Sequence, residues 1–257
     1  MEKAIRLRIL GSLAVAAALA LPTGSAMAAA PGPMPYTCTG GGILSGDYAS
    51  ITVTGFCGVA PDAVITIVGN LNVGAGAFLD AQSAPSTITV GHNVTAAAGS
   101  LVGLGCQPDY PANTGHPCTG GPDGHSVITV NGNVTATGAD TVLLNGVTVN
   151  GNVTLTGGGG DIPWSIKNNA IGGNLTVSGV TADWLGVLFN HISKNVTLTN
   201  ITATDPGDPG RLVFVVRNVI GWNLTCTGLA PGVSGGFFPG EVNTVGRNAI
   251  GQCAPLV

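Results

Sequence analysis

The sequence predicts an all-β chain wound as a right-handed parallel β-helix, a β-solenoid of about eight coils. Three observations carry this. The 257 residues include 42 Gly and are 44% apolar but only 8% charged, against about 25% charged in an ordinary soluble domain. A short motif recurs at intervals near twenty residues, and within it apolar and polar residues alternate with the two-residue period of a strand.

The composition argues for strands and turns. Lys and Glu, which normally cover surface helices, are scarce, so an α-rich fold is disfavoured. The apolar fraction is ordinary, so the chain has the means to bury a core and is not expected to be disordered.

Residues 1–28 read as a secretory signal. Lys3, Arg6 and Arg8 form a positive start, Ile9 to Leu21 is mostly apolar, and Ala26-Met27-Ala28 has the small-x-small form of a cleavage site. Pro22 and Gly24 cut the apolar run short of the roughly 20 residues a membrane span needs. Cleavage after Ala28 leaves 11 acidic and 5 basic residues. An acidic chain lacks the basic footprint of a nucleic-acid binder. The expectation is a protein of the cell envelope or extracellular space, with no membrane span after cleavage and no nucleic-acid partner. Residues 29–37 read as a linker and 38–257 as the solenoid.

The repeat is a hexad: an aliphatic residue, two spacers, Asn, Val or Leu, then usually Thr. It places Asn at 70, 93, 133, 152, 174, 195 and 223, and a degenerate eighth copy, Ile250-Gly251-Gln252-Cys253, puts Cys253 in the Asn slot. The intervals are 23, 40, 19, 22, 21, 28 and 30 residues, the longest containing an insertion at about 104–125. A period of this length without helix is one solenoid turn per repeat. Strand parity turns Val147, Val149, Val153 and Leu155 inward. Gly151-Asn152 marks a corner, with Gly giving the bend its freedom and Asn tolerating left-handed backbone. Stacked at about 4.8 Å, Asn70, Asn93, Asn133, Asn152, Asn174, Asn195 and Asn223 form a structural amide ladder, read as buried. A second ladder is expected at Asn169, Asn190, Asn218 and Asn248. Six of the seven N-x-Thr sequons (Asn93, Asn133, Asn152, Asn174, Asn195, Asn200 and Asn223) lie in the ladder slot, so the repeat accounts for them without glycosylation.

The six cysteines, an even number in a chain read as exported, point to disulfides. Fifteen connectivities are open; the sequence positions favour Cys38 with Cys57, Cys106 with Cys118, and Cys226 with Cys253. The first and last pairs would staple the ends. The competing reading is a metal site from Cys106, His116, Cys118 and His125 with Asp109 and Asp123. Knuckle spacing is missing there, so no metal or other cofactor is expected. The loop from Pro231 through Phe237, Phe238 and Pro239 is the expected cap.

The Gly-Asn-Val/Leu-Thr coils resemble the repeats of filamentous-haemagglutinin-type adhesins, which implies a right-handed parallel β-helix. Nearly all of the chain after residue 28 is similar to a group of small exported actinobacterial proteins. The resemblance is carried by Tyr36-Thr37-Cys38-Thr39-Gly40, Leu104-Gly105-Cys106 and Asn248-Ala249-Ile250-Gly251-Gln252-Cys253. It implies the fold and supplies no catalytic residues. Against the adhesins, this chain is shorter and carries cysteines.

No catalytic residue is nominated. Glycoside hydrolysis needs two carboxylates on one face; the nearest pair, Asp205 and Asp208, sits in a Pro-Gly loop. Lys167, Lys194, Arg211, Arg217 and Arg247 are scattered, and His92, His116, His125 and His191 bear no fixed relation to a Ser and an Asp. What does repeat is Thr-x-Thr/Ser: Thr135 and Thr137, Thr154 and Thr156, Thr176 and Ser178, Thr197 and Thr199, Thr225 and Thr227. These hydroxyls face outward by parity, although Thr is also simply a good exposed strand residue. The leading expectation is a non-enzymatic secreted or envelope protein with a structural or adhesive role, its partner a polysaccharide or cell-surface polymer. The alternatives are a polysaccharide hydrolase or lyase, and ice or polymer binding through the Thr array.

Overall fold

A computed structural model describes residues 32–111, 113–121, 123–205, 213–235 and 242–257. The residues read as a signal lie outside these. So does most of the Asp205–Gly210 loop, and so do Phe237, Phe238 and Pro239 of the expected cap.

The described residues form 26 strands, paired side by side in parallel and wound as a β-helix. Strands superpose in three stacks. One coil shows the plan: Val147–Val149, then Val153–Thr156, then Trp164–Lys167. Each pairs with its counterpart about one repeat later: Val149 with Ile171, Val153 with Leu175, Trp164 with Leu185. Because the side-chain period is two, in-register stacking sends the same parity inward in every coil. Val147, Val149, Val153 and Leu155 are all buried, as the alternation predicts, in one continuous, mostly aliphatic core that also takes in Trp164.

The stack containing Val153–Thr156 has ten rungs, from Tyr36–Cys38 to Ala249–Gly251. That is two more than the Asn count gives, because Pro35 and Ser50 fill the slot in the first two rungs. The first strand, Met34–Ile43, begins inside the segment read as a linker.

The first ladder forms at the slot predicted. Asn93, Asn133, Asn152, Asn174, Asn195 and Asn223 each donate backbone N–H and Nδ2 to the Oδ1 of the Asn one coil earlier, at 2.8–3.5 Å. Two features differ from expectation. This ladder is exposed or half-buried. Its Asn residues also avoid left-handed backbone. Gly151 is there for close approach: a Cβ would lie 2.5 Å from Asn133 Oδ1.

The second ladder is the buried one, and it runs Asn169, Asn190, Asn218, Asn243. Asn248 instead ends the first ladder, bonded to Asn223 Oδ1, because Leu224 pairs with Ala249. Cys253 is therefore not in the Asn slot. In this ladder each Asn donates toward the C-terminal coil, opposite to the first, and each Nδ2 also reaches a backbone carbonyl: Leu144, Ile166, Val187 and Val215. The corner that admits these side chains is made by left-handed residues just before them, Asn168, Phe189 and Arg217, with Gly146 in the equivalent place.

Cys38–Cys57, Cys106–Cys118 and Cys226–Cys253 are the disulfides. With Cys106 and Cys118 joined, neither is a thiolate ligand, and the insertion is a pinned loop. At the C-terminal end Gln252 imitates a strand, its Nε2 donating to Leu229 O and its Oε1 accepting from Leu229 N–H, both at 2.8 Å. Asn243 is closed off by the Leu256 carbonyl.

Candidate functional site

The outer side of the ten-rung stack carries a column in strict register: Thr37, Thr52, Asn72, Thr95, Thr135, Thr154, Thr176, Thr197, Thr225 and Ile250. Eight of the ten are Thr. A second column, two residues along each strand, is Thr137, Thr156, Ser178, Thr199 and Thr227. Strand geometry sets the lattice at about 4.8 Å between rungs and about 6.7 Å between columns, and the long column at about 43 Å. The sequence-predicted Thr residues thus lie side by side on one surface. Thr37 and Thr52 lie on rungs without an Asn in the slot, and Thr95 lacks a second hydroxyl because residue 97 is Ala, so the Thr-x-Thr pattern counted from the Asn slot misses all three, which extend the column toward the N-terminus.

A groove of about 480 Å³ lies where the Thr-bearing stack turns toward the stack containing Trp164–Lys167, lined in part by Phe78, Leu101, Asp140, Asp161 and Ile162. The ring of Phe78 stacks on exposed Phe56 with centroids 4.4 Å apart. Asp140 and Asp161 are exposed and come from adjacent coils. Asp140 and Asp161 are 21 residues apart along the chain; stacking puts these two in one groove.

A second cleft, of about 250 Å³, opens on the outer side of the Trp164–Lys167 stack. Its floor is Leu143 and Ser165, in register on consecutive rungs. The rungs on either side carry Gly103 and Gly186 at the same register. A Cβ at Gly103 would meet Gln82 Cδ at 2.9 Å, and one at Gly186 would meet Trp184 Cζ3 at 2.9 Å. The missing side chains thus let the Gln82 amide and the Trp184 indole lie across the sheet as end walls. The disulfide-pinned insertion covers one flank. It is held down by Asn113 Nδ2 donating to Asn168 Oδ1 (2.8 Å), Asn168 Nδ2 donating to Thr114 O (3.2 Å), and Lys167 Nζ donating to Gly115 O.

Electrostatics in this cleft are unusual for so uncharged a chain. Burial lowers the Lys167 ammonium below its ordinary pKa, and Asp109 only partly opposes this. Burial, then Lys167, also lowers His116, with Asp80 and Asp109 acting in the other direction. Both carboxylates are occupied nearby: Asp109 accepts Gly115 N–H, and Asp80 accepts Gln82 N–H, Ser83 N–H and Ser83 Oγ–H. The sequence shows Lys167 as one of several scattered basic residues and gives His116 no fixed relation to a Ser and an Asp; they are 51 residues apart along the chain and line the same cleft. Among the described residues no group of three or more His, Cys, Asp or Glu is placed to hold a metal. The chain matches no protein-family model, no curated protein and no solved structure, so its reading rests on its own geometry.

Proposed function

We propose that this is an exported, non-enzymatic β-solenoid with a structural or adhesive role, docking through its Thr face on an ordered polysaccharide or other cell-surface polymer. The observation that carries this is the in-register column of eight Thr hydroxyls on a ten-rung stack, interrupted by Asn72 and ended by Ile250. A periodic solid offers its groups at fixed spacing, and a rigid lattice meets them without ordering loops on binding, a cost that weakens most interfaces. Three disulfides fit an oxidising compartment. Among the described residues no helix is long and apolar enough to cross a membrane.

The test is co-sedimentation of residues 29–257 with insoluble polysaccharides and with growing ice, repeated for Thr154→Tyr and Thr197→Tyr. Retention on one solid, lost in both variants, is expected. Retention indifferent to both changes refutes the Thr face.

A second reading, a glycoside hydrolase, is favoured by Asp140 and Asp161 lining one groove beside an aromatic pair. It requires new reducing ends from a polysaccharide and their loss in Asp140→Asn and Asp161→Asn. Turnover that survives both changes removes it.

A further inference from the structure

The cleft beneath the insertion is a built site of a different kind. Of three buried side-chain polar atoms without a hydrogen-bond partner among the described residues, one is Ser165 Oγ, on the cleft floor with the residue 7% exposed. Leaving a buried hydroxyl unpaired is unfavourable, and a ligand hydroxyl would supply the missing partner. Trp184, held edge-on by Phe214 at 6.0 Å, offers an apolar wall. The Gln82 and Asn145 amides add polar groups. Lys167 has carbonyl contact but is short of negative charge: burial disfavours its cation, and Asp109, the carboxylate that acts on it, does not line the cleft. At about 250 Å³ the space is below the roughly 300–1,000 Å³ of drug-sized sites and suits one sugar-sized unit.

We propose that this cleft binds a single hexuronate unit, with its carboxylate on Lys167, a ring hydroxyl on Ser165 and its apolar face on Trp184. An apolar wall with hydroxyl and amide partners selects a sugar, and the half-buried Lys167 ammonium selects an acidic one. The site stands apart from the Thr face, so either can fail without the other.

The test is calorimetric titration of residues 29–257 with D-glucuronate and D-galacturonate, against D-glucose and D-galactose. At least one uronate is expected to bind about tenfold or more tighter than its neutral hexose, the factor expected of one charge-assisted contact. Lys167→Met is expected to erase that preference. Ser165→Ala removes a hydroxyl with no partner among the described residues, so it is expected to leave the melting temperature unchanged while weakening uronate binding about three- to tenfold. It is the decisive variant if Lys167→Met unfolds the insertion. A tri-uronide binding at least as tightly as the monomer assigns the unit to a polymer end; a tighter monomer assigns it to the free acid. No uronate preference in the wild type, or undiminished uronate binding in folded Ser165→Ala, overturns the proposal.

Discussion

Replacing Asn190 by Ala separates the two ladders energetically. The Asn190 side chain, buried at 1% exposure, makes four hydrogen bonds. It accepts from Asn169 N–H and Nδ2 and donates to the Ile166 carbonyl and Asn218 Oδ1, all at 2.8–3.0 Å. At about 1 kcal/mol each, with no water to replace them, the loss is about 4 kcal/mol. Asn174, half-buried in the first ladder, makes three such side-chain bonds, to Asn195 N–H, Asn195 Nδ2 and Asn152 Oδ1. Solvent reaches that corner, so Asn174→Ala is expected to cost about 1 kcal/mol. Urea unfolding under non-reducing conditions, followed by the fluorescence of buried Trp164, compares them directly. In melting temperature the buried change corresponds to about 8–16 °C. A difference below about 1 kcal/mol between the variants would mean that the buried amides are not the stronger fastening.

Three further predictions follow from the insertion and the ends. Because His116 is held below its usual pKa of about 6.5, the unfolded chain takes up a proton that the folded chain resists, and stability falls as pH drops below that value. Urea midpoints at about pH 7.5 and about pH 5.5 should therefore diverge more in the wild type than in His116→Gln, and equal divergence counts against the buried imidazole. At Gly105, where the chain leaves the coil for the insertion, φ is +82° and a Cβ would collide with the Asn145 carbonyl. Gly105→Ala should cost at least about 2 kcal/mol, seen as a lower urea midpoint; a neutral result contradicts the tight exit. Replacing Cys226 and Cys253 together by Ala, which opens a link of sequence separation 27, should cost about 3 kcal/mol in the same assay. A midpoint like the wild type would show that Gln252 and Leu256 hold the end without it.

Much of the winding is legible in the sequence, because each coil repeats the same local decision. Inward Val153 and Leu155, the Asn slot and the cysteine pairing follow from alternation, recurrence and proximity along the chain. The buried ladder was one step out at its end. Ile250-Gly251-Gln252-Cys253 imitates the hexad, and choosing Cys253 for the slot moved the second ladder from Asn243 to Asn248. The constant five-residue offset, Asn169 to Asn174 and Asn243 to Asn248, was the available signal. The cleft left no such trace. Gln82, Ser165 and Trp184 line one cleft only because single-residue gaps at Gly103 and Gly186 fall on the two rungs that flank Leu143 and Ser165. Which glycines serve turns and which leave room for a neighbour depends on lateral register, and no local pattern encodes it.

The first ladder has a consequence for how such a molecule changes over generations. Each interior amide finds the same partners above and below, so removing residues 153–174 would join Asn152 to Leu175 and restore an equivalent junction. Length is then a quantity that whole-coil duplication or loss can adjust, in steps of about 4.8 Å, while the cross-linked termini stay as they are. A family built this way would differ in reach before it differed in chemistry, like rulers cut from one stock.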